Sequence, residues 1–338
     1  MIITNAGYRL VNEPNPTKKI EQIARICYKS EDKITEDNDI KMIHNLINRK
    51  HTAMLEHASI AIAVSKNVYD RIREQIQIKE THTGRHDANK KCYLRFSTAN
   101  IDGDAPYTYS FNRYMISGNL RAWLEFFQWL VDYGTAIDGC VVDIVRNAAR
   151  RVFDRFGDEI ISIPRTSSAC IIDNMADLTP KERMIHEDFT VVFTVDRGVT
   201  HELVRMREAS FAQESTCYCN YSKDKFGKEI TVVKPCFADW DEHKFDIWKD
   251  ACLYAERKYF DLLDAGATPQ QARDVLPTSV KSEIAVTTNL NEWHHIFNLH
   301  ACDATSPAHP QMYEVMRPLF LEQKMHRPFA FEDLQIHE

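Results

Sequence analysis

The densest set of chemistry-bearing side chains lies at Arg205-Met206-Arg207-Glu208, continuing through Gln213-Glu214-Ser215-Thr216-Cys217 to Cys219 and Tyr221. Two arginines one residue apart, followed by amide and hydroxyl groups, suit a phosphorylated ligand. Guanidinium forks bind phosphate bidentately, and small polar groups orient it without bulk. Two ordinary arginines at a solvated helix end fit the same spacing. His51, Glu56 and His57 form a second polar group. Their spacing differs from a zinc-protease helix, where two His four apart flank a Glu, and a buried His bonded to backbone is the plain alternative. His294, His295 and His300, with Cys302, Asp303 and His309, could be read as a metal cluster. Adjacent helical residues point about 100° apart, so at most one of His294 and His295 could join His300. No metal is expected. Arg273 fits a surface or salt-bridged role equally well. The chain has no P-loop or nucleotide-binding glycine fingerprint, so any phosphate site must be built from side chains.

Composition narrows the partners. The 338 residues suffice for one large domain or two, and 44% hydrophobic content supports a sizeable core. A net charge of −7 argues against long-range attraction to nucleic acid or an anionic membrane, though a local arginine cluster still holds a small anion. No apolar run reaches spanning length and no secretory signal is visible. Nine cysteines, an odd count without a framework, read as reduced thiols in a cytoplasmic protein.

Several elements must position these groups. Helices are expected over about Thr17 to Tyr28 and Asp37 to Asn48, with the polar break Lys29-Ser30-Glu31-Asp32 between them. Ala58 to Val64 and Phe189 to Val195 read as buried strands, the second ending at an Asp196-Arg197-Gly198 turn. Leu120, Trp123, Leu124, Phe127, Leu130 and Val131 make one helical stripe in 119–132, and Val141 to Phe153 a further helix. The stretch from about Lys79 to Pro106 is polar and poorly periodic, as a loop would be. Phe245 to Leu262 lie on one long helix stopping at Gly266. Thr268-Pro269-Gln270-Gln271 caps the helix carrying Arg273. A last helix, Asn289 to Leu299, brings His300 to its end. The class is α+β with much helix.

The order of these segments resembles the flavin-dependent thymidylate synthase family. Arg205-Met206-Arg207, seven residues, then Ser215 matches its Arg-His-Arg signature except at the middle position. His51 with Leu55-Glu56-His57 resembles its His…Phe-Glu-His block. Ala272-Arg273 to Leu276-Pro277, Thr288-Asn289-Leu290 and Ala308 to Glu314 fall where further blocks are expected. The resemblance covers roughly 1–65 and 188–325. It implies a synthase-like catalytic core over 1–77 and 188–338, with 78–187 a mainly helical insertion and surface elaboration.

The resemblance also implies chemistry. FAD would sit at subunit interfaces of a homotetramer, NADPH would reduce it, and methylenetetrahydrofolate would supply a carbon for C5 of dUMP. Neither nucleic acid nor membrane is implied as a partner. Positions matching flavin contacts are His51, Ala53, Glu56, Arg205, Met206, Arg207, Glu208, Gln213, Asn289, Leu290, Asn291 and His295. Positions matching nucleotide contacts are Glu202, Arg205, Gln213, Glu214, Ser215, Thr216, Cys217, Arg273 and His300. Of these, Arg205, Ser215 and His300 are expected to act on the reacting nucleotide.

The departures concern charge. Cys217, Asn291 and His300 stand where the family usually has arginine, as Tyr313 often does, and Met206 stands where it has histidine. Hydrogen bonds to charged groups contribute about 1.5–3 kcal/mol each. Losing three would cost on the order of 5–9 kcal/mol, an upper bound because such terms are not additive. His300 could stabilise charge developing on a uracil ring only as imidazolium, a form favoured by a nearby phosphate. One reading is a dUMP methylase whose insertion, or whose Lys and His residues, replaces the arginines. Another is a diverged relative acting on another pyrimidine nucleotide or attaching a hydroxymethyl group. A third is a non-catalytic binding or assembly protein on the same core.

Overall fold

Among the described residues the strands are β1 (Ile2–Thr4), β2 (Gly7–Leu10), β3 (Ser59–Val64), β4 (Arg95–Ile101), β5 (Phe111–Asn119), β6 (Ile137–Asp138), β7 (Ser162–Ile163), β8 (Ala169–Ile171), β9 (Asp188–Asp196), β10 (Ser210–Gln213), β11 (Thr231–Val233) and β12 (Lys281–Asn289). The computed structural model describes residues 1–35, 38–82, 93–101, 111–156, 158–164, 169–216, 220–223, 227–303 and 308–337. By packing it divides into two units. One comprises Met1–Asn12, Gln22–Ile34 and Phe189–Glu338, the other Glu13–Glu21 and Thr35–Asp188. Helices interleave with mainly antiparallel sheets, so the fold is α+β.

The first unit is built on a four-stranded sheet of order β10-β12-β9-β2. Its apolar alternation breaks down in β9 and β12, where most positions are buried, as central strands require. Against it pack Trp293, Phe297, Phe320 and Phe331, all fully buried. Trp293 stacks on Phe189 at 4.5 Å, and its indole N–H donates to the Phe189 carbonyl. The long helix is Glu242–Asp264, and Gly266 then takes the left-handed φ of +91° that ends it. The expected Thr268 capping box is present, with Thr268 and Gln271 side chains each bonding the other's backbone N–H.

The second unit holds a sheet of order β4-β5-β3-β8. Segment 78–187 therefore contributes three strands to the sheet around β3, as well as helices. The expected stripe forms helix Leu120–Asp132, capped by Asn119. Trp123, Phe126, Phe127, Phe153 and Phe156 are buried in its core.

Three expectations need correction. Where Lys79–Pro106 reads as loop, Lys79 lies in helix Lys66–His82 and Arg95–Ile101 is β4, paired along its length with β5; 83–92 and 102–110 lie outside the described residues. The strand escapes a hydrophobic pattern because its inward groups are polar. Arg95 forks onto Asp188 at 2.6 and 2.7 Å, and Ser97 meets His186 at 2.7 Å. Val141–Phe153 is two helices, Gly139–Ala148 and Arg150–Phe153, because Ala149 leaves the helical region at φ −143°. Asp196-Arg197-Gly198 is a helix start, with the Asp196 side chain accepting the Val199 N–H at 2.8 Å. Asp favours turns and N-caps alike.

His186 is a strongly perturbed base. Burial, helped by Arg95, pushes its pKa down to about 4, and both ring nitrogens meet serine hydroxyls, Ser97 and Ser117. A base with a depressed folded pKa binds fewer protons than in the unfolded chain between the two values. Its contribution is thus fully present above about pH 6.5 and is lost as pH falls towards 4. The shift corresponds to on the order of 3 kcal/mol. Urea unfolding followed from pH 7 to 4 should show the His186→Gln variant losing less stability than wild type by about that amount. Parallel pH profiles would refute this.

Candidate active site

In the first unit the register of two strands assembles most of the candidate positions. β10 runs antiparallel to β12, pairing Ser210 with Thr287 and Gln213 with Ile284. At the Ser210 end, the Thr288 hydroxyl donates to the Glu208 carbonyl at 2.9 Å. That bond ties the Arg205–Glu208 turn to the start of helix Leu290–Phe297, whose N-cap Asn289 accepts the Glu292 N–H. Arg205, Arg207, Glu208, Asn291 and His295 are exposed and Met206 is half-buried. Leu290 is fully buried, leaving its side chain to the core. Burial raises the Glu292 pKa, with His295 opposing and Glu208 adding to the shift, so these three groups share one field.

At the Gln213 end, the Gln213 amide donates to Thr200 Oγ1 at 2.9 Å and Ser282 Oγ at 3.0 Å. Ser215 N–H donates to the Cys27 carbonyl at 3.1 Å. Arg273 Nη1 reaches Thr216 Oγ1 at 3.4 Å. Glu214 points the other way. Its carboxylate is buried and takes Lys281 Nζ at 2.9 Å, Lys29 Nζ at 3.5 Å and the Glu283 N–H at 3.3 Å. Cys217 lies outside the described residues.

His300 sits on a π-helical turn, Asn298–Cys302, that continues helix Leu290–Phe297. Such turns recur at functional sites. The residue is only 7% exposed, and among the described residues neither ring nitrogen has a hydrogen-bond partner. Burial lowers its pKa, Glu202 acts to raise it and His295 to lower it. In the ligand-free protein the neutral ring is therefore the favoured form, and the imidazolium would require the nearby phosphate. Taking this side chain out of water favours the neutral ring, and Glu202 does not overcome that. Glu202 itself accepts the His309 N–H at 3.1 Å.

His51, Ala53 and Glu56 belong to the second unit. His51 and Ala53 are exposed around the turn Thr52–His57. Glu56 is paired with Arg121 at 2.7 Å, which also holds Glu125 at 2.7 Å. Sequence reading missed Arg121, as it missed Lys29, Lys281 and Arg197. Among the described residues Arg197 Nη1 is buried and has no hydrogen-bond partner. The Asp196-Arg197-Gly198 turn expected from sequence carries no sign of that burial. His294 pairs with Asp333 at 3.0 Å. Among the described residues no three His, Cys, Asp or Glu side chains are grouped to hold a metal, and no helix is long and apolar enough to cross a membrane.

The family model described as thymidylate synthase complementing protein matches residues 9–69 and 142–324. That is most of the chain, and the chain belongs to this family. It is 35% identical over 122 residues to a flavin-dependent thymidylate synthase of Pyrococcus abyssi, covering 35% of this chain and 49% of the relative. The corresponding enzyme of Geobacter sulfurreducens is 30% identical over 133 residues, covering 39% of this chain and 56% of the relative. That of Corynebacterium aurimucosum is 27% identical over 225 residues, covering 62% and 84%. The chain thus spans about half the length of the first relatives it matches. A solved UMP/dUMP methylase from Streptomyces cacaoi bound with 5-Br dUMP gives a TM-score of 0.35 at 19% identity, over 43% of this chain and 69% of that one. That overlap is too slight to define a fold or a substrate. The resemblance carried by the ordered sequence blocks is confirmed at the level of the family, whose flavin dependence implies FAD.

Orphaned buried nitrogens cost stability that a ligand could recover. His300→Leu should therefore leave the free protein equally stable or more stable by about 1 kcal/mol, whereas truncating a satisfied buried histidine destabilises. Urea unfolding at pH 7 decides; a loss of more than about 1 kcal/mol would mean the ring is held by the fold itself.

Proposed function

We propose that the chain is an FAD-dependent enzyme transferring a one-carbon unit from methylenetetrahydrofolate to C5 of dUMP, giving dTMP, with NADPH as reductant. In this reading 1–77 and 188–338 form the catalytic core of a homotetramer that carries 78–187 as an insertion. The observation that carries the reading is local. The Arg205–Glu208 turn is tied to Thr288 at one end of β10, and Gln213, Ser215, Thr216 and Arg273 lie at the other.

The residues fit a phosphorylated flavin. Two exposed guanidinium groups, Asn291 and His295 offer donors to phosphate and ring atoms, and the Glu208–Thr288 bond keeps the two segments in register. His51, Ala53 and Glu56 match flavin-contacting positions of the family. Bound FAD would supply the redox chemistry that leaves the transferred carbon as a methyl group. Gln213, held by Thr200 and Ser282, presents its carbonyl oxygen to a ligand because its amide N–H groups are already used. Ser215 and Thr216 would contact the nucleotide phosphate, with Arg205 and Arg273 supplying positive charge. Glu202 and His300 would meet the pyrimidine. A neutral His300 donates from one nitrogen and accepts at the other, and uptake of a proton near an anionic ligand would let it stabilise charge on the ring.

A second reading, a relative acting on another pyrimidine nucleotide, is favoured by one observation. The buried His300 resting neutral offers an acceptor that a guanidinium lacks. The visible spectrum of the purified protein with FAD, repeated with dUMP, separates the readings. A bound-flavin spectrum that shifts with dUMP is expected. Flavin binding blind to dUMP would favour another nucleotide, and no flavin binding would leave a non-catalytic protein. Joint Cys217→Arg and His300→Arg substitution should abolish activity in a retooled site; a gain in dUMP affinity would instead mark a decayed one.

A further inference from the structure

The helix Pro16–Tyr28 ends on a residue that its backbone does not favour. Lys29 N–H donates to the Ile26 carbonyl at 3.3 Å and Ser30 N–H to the Arg25 carbonyl at 3.1 Å, the paired bonds of a Schellman closure. The closing residue sits in the left-handed region, φ +46° at Lys29, where glycine is usual and a residue with a Cβ is strained. Strain of this kind persists only where its surroundings impose it, and it clusters at functional sites.

What the lysine provides is a desolvated bridge. Its ammonium contacts the Glu283 carboxylate and lies 3.5 Å from Glu214 and 3.6 Å from Glu31. The Glu214 side chain is 2% exposed and that of Lys29 15%, so this is not a solvent-screened surface pair of negligible effect. Burial lowers the Lys29 pKa although Glu214 opposes the shift. Lys281 faces the same two carboxylates at 2.9 and 3.6 Å. The residue after Glu214 is tied to the same helix end, by Ser215 N–H to Cys27 O. One helix terminus thus grips the 214–215 peptide twice, through a charge and through a backbone bond.

We infer that Lys29 is a positioning residue for nucleotide recognition: its ammonium clamps Glu214 and Glu283, and thereby holds Ser215 and Thr216 in the arrangement that meets the phosphorylated ligand. The inference rests on the reading of 213–216 as nucleotide-contacting. Lys29 need not touch the nucleotide. Glycine would satisfy the backbone at this position and would lack the clamp.

Lys29→Gly and Lys29→Arg in the full chain test it, with two measurements. Hydrogen exchange of the Ser215 amide reads the clamp without ligand, and titrations with FAD and then dUMP read its consequence. Lys29→Gly should exchange Ser215 at least tenfold faster and bind dUMP at least tenfold more weakly, with FAD affinity within twofold of wild type. Lys29→Arg, which keeps the charge, should restore both to within about threefold. General destabilisation would instead speed exchange throughout the unit and weaken FAD equally, and would overturn the inference. So would unchanged Ser215 exchange and dUMP affinity in Lys29→Gly. A wild-type chain that binds FAD but not dUMP would overturn the nucleotide reading, while Ser215 exchange would still decide whether the clamp exists.

Discussion

The register of β10 on β12 is the constraint on which the first unit's chemistry depends. Pairing Ser210 with Thr287 and Gln213 with Ile284 places the Arg205–Glu208 turn beside Thr288 and Asn289 at one end. It places Gln213 and Glu214 beside Ser282 and Glu283 at the other. Side chains alternate across a strand, so a one-residue slip would turn Gln213 away from Ser282 and break both groupings together. Because Ile284, Ala285 and Val286 are buried in succession, the apolar pattern does not choose this register; polar pairs do, among them the Thr190–Thr287 hydroxyl pair at 2.7 Å that ties β12 to its other neighbour.

Polar groups in this protein divide into those satisfied by the fold and those left open. In the second unit Asp188 is held by Arg95 and Ser59, and His186 by Ser97 and Ser117. Burial opposes ionisation of Asp188, yet Arg95 and Ser59 outweigh it and hold its pKa low. Arg113 and Thr179 do the same for Glu182. Such closed networks fix a structure and offer nothing to a ligand. In the first unit the ring nitrogens of His300 and the Nη1 of Arg197 are buried and have no hydrogen-bond partner among the described residues. The π-turn under His300 is consistent with this, since it spends regular helical geometry to aim one side chain.

The clamp at Glu214 shows why a motif position is not a contact. Glu214 lies among five consecutive nucleotide-matching positions, 213–217, and its type would suit a ligand hydroxyl. Alternation along the extended chain turns it inward, away from Gln213 and Ser215, and Lys29 and Lys281 neutralise it there. Leu290 behaves alike, with its side chain in the core and only its backbone able to face outward.

Local chemistry was legible wherever one stretch of chain decides its own structure. The capping box at Thr268, the stop at Gly266, the stripe from Leu120 to Val131 and the helix ending near Tyr28 all follow from short-range periodicity and caps. So did the family, because five ordered blocks of residue types are kept along the chain. What sequence could not supply was partnership across long separations. Strand β4 was hidden because its inward residues are polar and their partners, His186 and Asp188, lie some ninety residues away. The lowered pKa of His300 comes from burial, with Glu202, far off in the chain, opposing it. Residue type and spacing determined which groups this protein has to work with; three-dimensional packing decided which of them are already spent on one another and which remain open, because desolvation and hydrogen-bond satisfaction are properties of the assembled surroundings and not of the chain.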